Sequence, residues 1–173
     1  AAASFLTKNK SNAVFDIALE SSGKDHKSFY IPAGGCRLPK SKETSIEKID
    51  QSNNVHTLED IHMNGFGVWK FIASTVPKQI KALIEKNNYT LDDIDLFILH
   101  QSSKMTIDSL VKNLKIKDEK VYTNISKKGN LVSSSIPVAI KDAEEEGKLK
   151  RGDLILLSGF GVGLSYGTIL MKY

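Results

Sequence analysis

Three short stretches bring chemically capable residues to places where an α/β fold binds ligands, the carboxyl ends of strands and the loops after them. They are His100-Gln101 after an apolar run, Gly129-Asn130 before a helical stretch, and Gly159-Phe160-Gly161-Val162-Gly163 between two strand-like runs. An imidazole N–H and a carboxamide NH2 are both uncharged donors, the kind of group that stabilises a developing oxyanion in a dry pocket. Each stretch has a plain structural reading when taken alone. A His after an apolar strand often only caps that strand, and Gly-Asn is a common turn because both residues tolerate positive φ. The Gly-rich segment fails the dinucleotide fingerprint, since a strand rather than a helix follows it.

The elements that must hold these residues can be read from periodicity. Leu96-Phe97-Ile98-Leu99 and Leu154 to Ser158 are continuous apolar runs of strand length, the pattern of strands buried on both faces. His100 closes the first of them. Ile107, Leu110, Val111 and Leu114 recur at helical spacing, and Val132 to Glu146 reads as a further helix closed by Gly147. Val121 to Ile125 and Thr168 to Lys172 are short strands, and Gly159 to Gly163 is the turn before the last. Val68, Phe71, Ile72, Val76, Ile80, Leu83 and Ile84 mark a helical stripe from Gly65 onward. Pro77 lies inside it and predicts two helices or one sharply bent one, ended by Asn87-Asn88. Thr90 with Asp93 has capping-box spacing. Ala1 to Leu6 and Val14 to Leu19 read as two strands forming a hairpin or adjacent pair. Residues 23–60 are a long polar insertion with Pro32, Gly34, Gly35 and Pro39, and a loop of that length inside a compact domain usually has a function or covers something. The order of elements is α/β, with one mixed five-stranded sheet covered by helices.

Composition narrows the class. A chain of 173 residues with 40% hydrophobic and 25% charged residues has the make-up of one ordinary globular domain. No apolar run approaches the roughly 20 residues that a bilayer requires, so no membrane span is expected. The formal charge of +4 is only mildly basic and names no nucleic-acid partner. A lone cysteine, Cys36, cannot form an internal disulfide, which fits a reducing compartment. The opening Ala1-Ala2-Ala3-Ser4-Phe5-Leu6 has neither an initiator Met nor a signal pattern and reads like strand interior, as though the chain were a piece of a longer protein.

In order and spacing, the motifs resemble a known family. Met63-Asn64-Gly65 with Val68-Trp69-Lys70-Phe71, Leu99-His100-Gln101, Lys127-Lys128-Gly129-Asn130 with Ser133-Ser134-Ser135-Ile136-Pro137, and Gly152-Asp153 with Phe160-Gly161-Val162-Gly163 and Gly167 are similar to the C-terminal half of a 3-oxoacyl-[acyl-carrier-protein] synthase III. That is a condensing enzyme of thiolase-like fold. Ala1-Ala2-Ala3 and Ile31-Pro32-Ala33-Gly34-Gly35 also resemble family segments, so the likeness spans nearly the whole chain, residues 1–173, as a single C-terminal condensing-enzyme domain.

The resemblance implies decarboxylative Claisen condensation of an acyl-CoA with malonyl carried on acyl carrier protein. It implies a cytoplasmic enzyme of fatty acid biosynthesis, dimeric in its full-length form. No cofactor is implied beyond the CoA thioester and the phosphopantetheine-carried malonyl group. His100 and Asn130 match the family's decarboxylation pair, and Gly161, Val162 and Gly163 match its oxyanion and pocket loop. Val162 stands where glycine is common, and a β-branched residue resists positive φ. After His100-Gln101 the family commonly has Ala-Asn, whereas this chain has Ser102-Ser103. Gln101 and Ser103 are therefore expected to orient His100, Ser103 through a shorter arm.

The family nucleophile belongs to an N-terminal half not contained here, so the chain alone is expected to be inactive. Cys36 sits in a loop with no following helix to lower its thiol pKa, and it reads as a plain loop thiol. At about 100° per residue, Lys104, Lys112 and Lys115 fall within an arc of about 80°, away from the apolar stripe. This face suits docking of an acidic carrier protein, and its plainer reading is a solvated surface with Asp108 paired to Lys112. Two other functions stay open: a thiolase-fold acyltransferase that makes an ester or amide, with His100 as general base, and a non-catalytic acyl-binding or dimerisation module.

Overall fold

The computed structural model describes residues 1–8 and 13–173. In chain order the elements are β1 (Val14–Ser21), β2 (Phe29–Tyr30), β3 (Lys48–Ile49), β4 (Val55–His56), β5 (His62–Met63), α1 (Gly65–Lys86), β6 (Leu96–Leu99), α2 (Lys104–Leu114), β7 (Val121–Tyr122), α3 (Ile125–Lys128), α4 (Ser135–Glu145), β8 (Leu154–Gly161) and β9 (Ser165–Lys172). Five strands form one mixed sheet in the order β1-β9-β8-β6-β7. Strands β6, β7 and β8 run parallel, and β9 lies antiparallel between β8 and β1.

Alternation along the strands divides the apolar residues between two faces. Phe97, Leu99, Leu156, Phe160 and Leu170 pack with α1 and α2 residues such as Ile80, Ile84, Ile107 and Leu110. Leu96, Ile98, Ile155 and Leu157 pack against Ala139 and Ala143 of α4. Helices therefore cover both faces, which explains why β6 is buried at every position and reads as one unbroken apolar run. The Thr90–Asp93 capping box is present in a single 3-10 turn.

Four expectations are corrected. Helix α1 is continuous across Pro77, so of the two expected forms the pair of separate helices is ruled out. A proline inside a helix costs about 3 kcal/mol, but Val76 and Ile80 are both 0% exposed and Pro77 is buried with them. Burial of such side chains contributes roughly 1.5–3 kcal/mol each and offsets the lost hydrogen bond. Ala1–Leu6 is not a strand: among the described residues no ladder reaches it, and Phe5 and Leu6 are each 91% exposed. The connection to β1 runs through residues 9–12, outside the described residues, and β1 pairs instead with β9 at the far end of the sequence. Only Val121–Tyr122 of the Val121–Ile125 run is strand, because Ile125–Lys128 already turns as α3. Strand β8 runs on through Gly161, since β9 supplies ladder partners for Gly159, Phe160 and Gly161 in Gly167, Tyr166 and Ser165.

The 23–60 insertion is a folded excursion. It opens with a 3-10 turn at Gly23–Ser28, and β2 pairs with β5 just before α1. A small β3–β4 hairpin lies within it. Thr44, 2% exposed, donates its hydroxyl proton to Glu59 at 2.7 Å, and Lys40 bridges Glu59 at 3.0 Å.

Candidate active site

His100 stands where β6 ends, its backbone N–H donating to the Ser158 carbonyl of β8 at 2.8 Å. The half-buried ring lies edge-on to Phe160, with centroids 5.4 Å apart. It opens on a cleft of about 870 Å³ whose lining also includes Asn130, Val132, Ile136, Gly161 and Val162. Burial alone pushes the His100 pKa below its ordinary 6.5, and no charged group is among the causes. The imidazole is therefore neutral at pH 7 and remains a donor without carrying a cation into an apolar wall.

Asn130 reaches the same cleft from the loop between α3 and α4. Its Oδ1 accepts the Val132 N–H at 2.8 Å, which fixes the flip of the amide and leaves Nδ2 as the free donor end. Nδ2 makes only a long 3.5 Å contact with the Ser102 carbonyl, two residues past His100. Val132 takes a left-handed φ of 53°, unusual for a β-branched residue, in the turn that this Asn130 bond closes. Ser135 Oγ supports the loop from the other side by accepting the Leu131 N–H at 3.1 Å. Two uncharged donors from separate loops thus border one cavity.

The Gly-rich segment supplies part of the cleft wall. Gly161 and Val162 line the cleft, whereas Gly163 makes the turn and carries its positive φ of 138°. The conflict expected at Val162 is absent because glycine takes the left-handed position.

The two orienting residues separate. Gln101 is fully buried, donating from Nε2 to the Leu99 carbonyl at 2.8 Å and accepting the Asn124 N–H at Oε1 at 3.1 Å. It pins the His100 loop to the exit of β7. Ser103 does not orient His100. It is the N-cap of α2: its Oγ accepts the Thr106 N–H at 3.1 Å and lies 2.9 Å from the Thr106 hydroxyl. A Ser at the position immediately before a helix satisfies an otherwise orphaned backbone donor, and that demand claims the hydroxyl here.

Lys104, Lys112 and Lys115 are exposed and border one shallow surface depression with Lys117. The predicted Asp108–Lys112 pair is replaced by Lys104–Asp108 at 2.7 Å. Among the described residues Lys112 and Lys115 join no ion pair. Cys36 is exposed and lies outside the lining of the cleft.

Periodicity did not reveal a polar line through the sheet. Tyr166, on the cleft wall, donates to Glu20 at 2.6 Å, and Gln79 of α1 donates to the same carboxylate at 3.0 Å. Thr168 donates to Gln79 at 2.8 Å, and Ser158 is 3.3 Å from Thr168. The Glu20 carboxylate beside it pushes the Tyr166 pKa up to about 12, so this phenol stays protonated. Only the β1–β9 pairing brings Glu20 to Tyr166.

The lowered His100 pKa has a measurable consequence for stability. Above pH 6.5 folded and unfolded chains both hold the ring neutral, but on acidification the unfolded chain gains a proton that the folded one resists. Stability tied to His100 is thus present above 6.5 and lost as pH falls toward the lowered folded value. The thermal midpoint should drop more between pH 7 and pH 5.5 for the parent chain than for His100→Gln, and parallel curves would contradict this.

A mixed sheet clothed on both faces, with a His from the exit of β6 and an Asn from the α3–α4 loop on one cleft, defines half of a thiolase-like condensing fold. Residues 84–173 match the family described as 3-oxoacyl-[acyl-carrier-protein (ACP)] synthase III C terminal, and the chain belongs to that family. It is 36% identical over 165 residues to the beta-ketoacyl-[acyl-carrier-protein] synthase III of Symbiobacterium thermophilum, covering 95% of this chain and 47% of that protein. With the enzyme of the same name from Clostridioides difficile it shares 39% identity over 160 residues, 92% of this chain and 46% of the relative. A crystal structure of a 3-oxoacyl-(acyl-carrier-protein) synthase III superimposes with a TM-score of 0.92 at 32% identity, covering 97% of this chain and 50% of that one. The chain spans about half the length of the curated relatives it matches. No helix among the described residues is long and apolar enough to cross a membrane.

Proposed function

We propose that this chain acts as the C-terminal half of a cytoplasmic 3-oxoacyl-[acyl-carrier-protein] synthase III, in which a second half supplies the cysteine nucleophile. The reaction joins an acyl group, taken from an acyl-CoA onto that cysteine, to malonyl carried on acyl carrier protein. Decarboxylation breaks the bond between the malonyl α-carbon and its free carboxyl group, and CO2 leaves. The electron pair remains on the α-carbon and delocalises onto the thioester oxygen. His100 and Asn130 each donate a hydrogen bond to that oxygen. The α-carbon then attacks the acyl-enzyme carbonyl, forming the new C–C bond and expelling the cysteine thiolate. Backbone N–H groups of the Gly161–Gly163 segment stabilise the oxyanion formed in that step.

One observation carries the reading: two neutral donors, fixed by separate loops, border the same cleft. Exposed apolar side chains round its mouth give the second half a surface to cover, namely Leu19 at 78%, Val132 at 73% and Val162 at 58%. The ester- or amide-forming alternative drew its support from the Ser102-Ser103 departure: the Ser103 hydroxyl is committed to the α2 cap, whereas the Ser102 hydroxyl is buried with no hydrogen-bond partner among the described residues. Release of CO2 in step with thioester consumption by the complete enzyme tests the assignment, and turnover without CO2 would overturn it.

Carrier protein and its phosphopantetheine phosphate are assigned to the basic face of Lys104, Lys112 and Lys115. Exposed charge pairs contribute about 0.2–1 kcal/mol each, so reversing Lys112 and Lys115 to Glu should raise KM for the carrier-bound substrate roughly 2- to 30-fold with kcat unchanged. An unaltered KM would remove this role.

A further inference from the structure

The two loops that hold His100 and Asn130 meet at one buried residue, Asn124, which is 4% exposed. Its backbone N–H donates to Gln101 Oε1 at 3.1 Å, and Gln101 adjoins His100 in the chain. Its backbone carbonyl accepts the N–H groups of Lys127 and Lys128 at 3.0 Å each, closing the single turn of α3 that leads to Gly129-Asn130. Its side-chain Nδ2 donates to Asp142 Oδ2 on α4 at 2.8 Å, and α4 is the helix that follows Asn130. Lys128 Nζ approaches the same carboxylate at 3.8 Å.

We propose that Asn124 is a positioning residue that sets the spacing between His100 and Asn130. It touches neither group and lies outside the cleft lining. The Gln101 bond registers it against the end of β6, and the Asp142 bond stops α3 from tilting away from α4. Because α3 is only four residues long, it cannot hold its own direction, and a change in its tilt carries directly to Asn130. Misplacing a reacting group by about 1 Å costs on the order of 10²-fold in rate, so this bond acts on decarboxylation without contacting substrate. The acyl-transfer step uses other groups and does not depend on the spacing.

The inference rests on the His100–Asn130 reading, and the experiment separates failure of one from failure of the other. In the complete enzyme, Asn124→Asp keeps shape and all three backbone bonds but sets two carboxylates face to face. Decarboxylation of malonyl thioester should fall about 10- to 100-fold, with self-acylation by acyl-CoA within about twofold of the parent. Asn124→Asp combined with Asp142→Asn restores a donor and an acceptor with their directions reversed, and decarboxylation should return to within about threefold. If the single variant fails to fold, the pair decides alone: regained folding with regained decarboxylation supports the proposal, and regained folding with decarboxylation still down about tenfold overturns it. An unchanged rate in folded Asn124→Asp, equal loss of both half-reactions, or no rescue by the pair overturns it as well. His100→Ala is the control: if that variant still decarboxylates normally, the site reading itself falls and takes this proposal with it.

Discussion

His100→Ala in the complete enzyme should lower decarboxylation of malonyl thioester by about 10²- to 10³-fold, equivalent to about 3–4 kcal/mol of transition-state stabilisation. Self-acylation should persist. The split follows from where charge develops in each step. Loss of CO2 places it on the malonyl thioester oxygen, the position assigned to the imidazole donor, whereas acyl transfer places it on a carbonyl served by backbone N–H groups. The His100 backbone bond to Ser158 does not involve the side chain, and the strand it ends is buried throughout, so truncation leaves the loop anchored. Trapping of released CO2 measures one half-reaction and mass increase of the acyl-enzyme the other. Equal loss of both would contradict the division of labour.

Asn130→Asp should be nearly as damaging to decarboxylation, again about 10²- to 10³-fold, for a more selective reason. The substitution keeps an oxygen that can accept the Val132 N–H, so the turn through Leu131 and Val132 is retained. Only the NH2 end is lost, and a carboxylate faces the nascent enolate in its place. The thermal midpoint should therefore stay close to the parent value while CO2 release collapses. An active variant would show that the amide end toward the cleft plays no part in stabilising the charge.

Much of this site could be read directly from the sequence because the local physics is strong. The all-apolar run Leu96–Leu99 announces a doubly covered strand, and whatever follows such a strand stands at the ligand-binding edge of the sheet, which is where His100 lies. The stripe Ile107, Leu110, Val111, Leu114 yields α2 for the same reason. Chain-local cues failed where a distant segment decides. Nothing near Val14–Ser21 says that its partner is Ser165–Lys172, and without that pairing Glu20 cannot be joined to Tyr166. Pro77 carries a strong local signal against helix, but tertiary burial outweighs it. Ser103 stands at a position expected to orient His100, yet the helix that begins at the next residue has the prior claim on its hydroxyl. Asn124 looked like one more residue of a short strand. Its importance lies in hydrogen bonds to three separate segments, the loop after β6, α3 and α4, which no spacing rule displays.

One imidazole and one carboxamide are proposed to meet on a single oxygen. The most direct measurement is a crystal structure of the complete enzyme with an unreactive malonyl-thioester analogue whose carbonyl oxygen is retained. The His100 ring nitrogen and Asn130 Nδ2 are both expected within about 2.7–3.1 Å of that one oxygen. Donors directed to different atoms, or an analogue bound with either side chain turned away from its carbonyl, would contradict it.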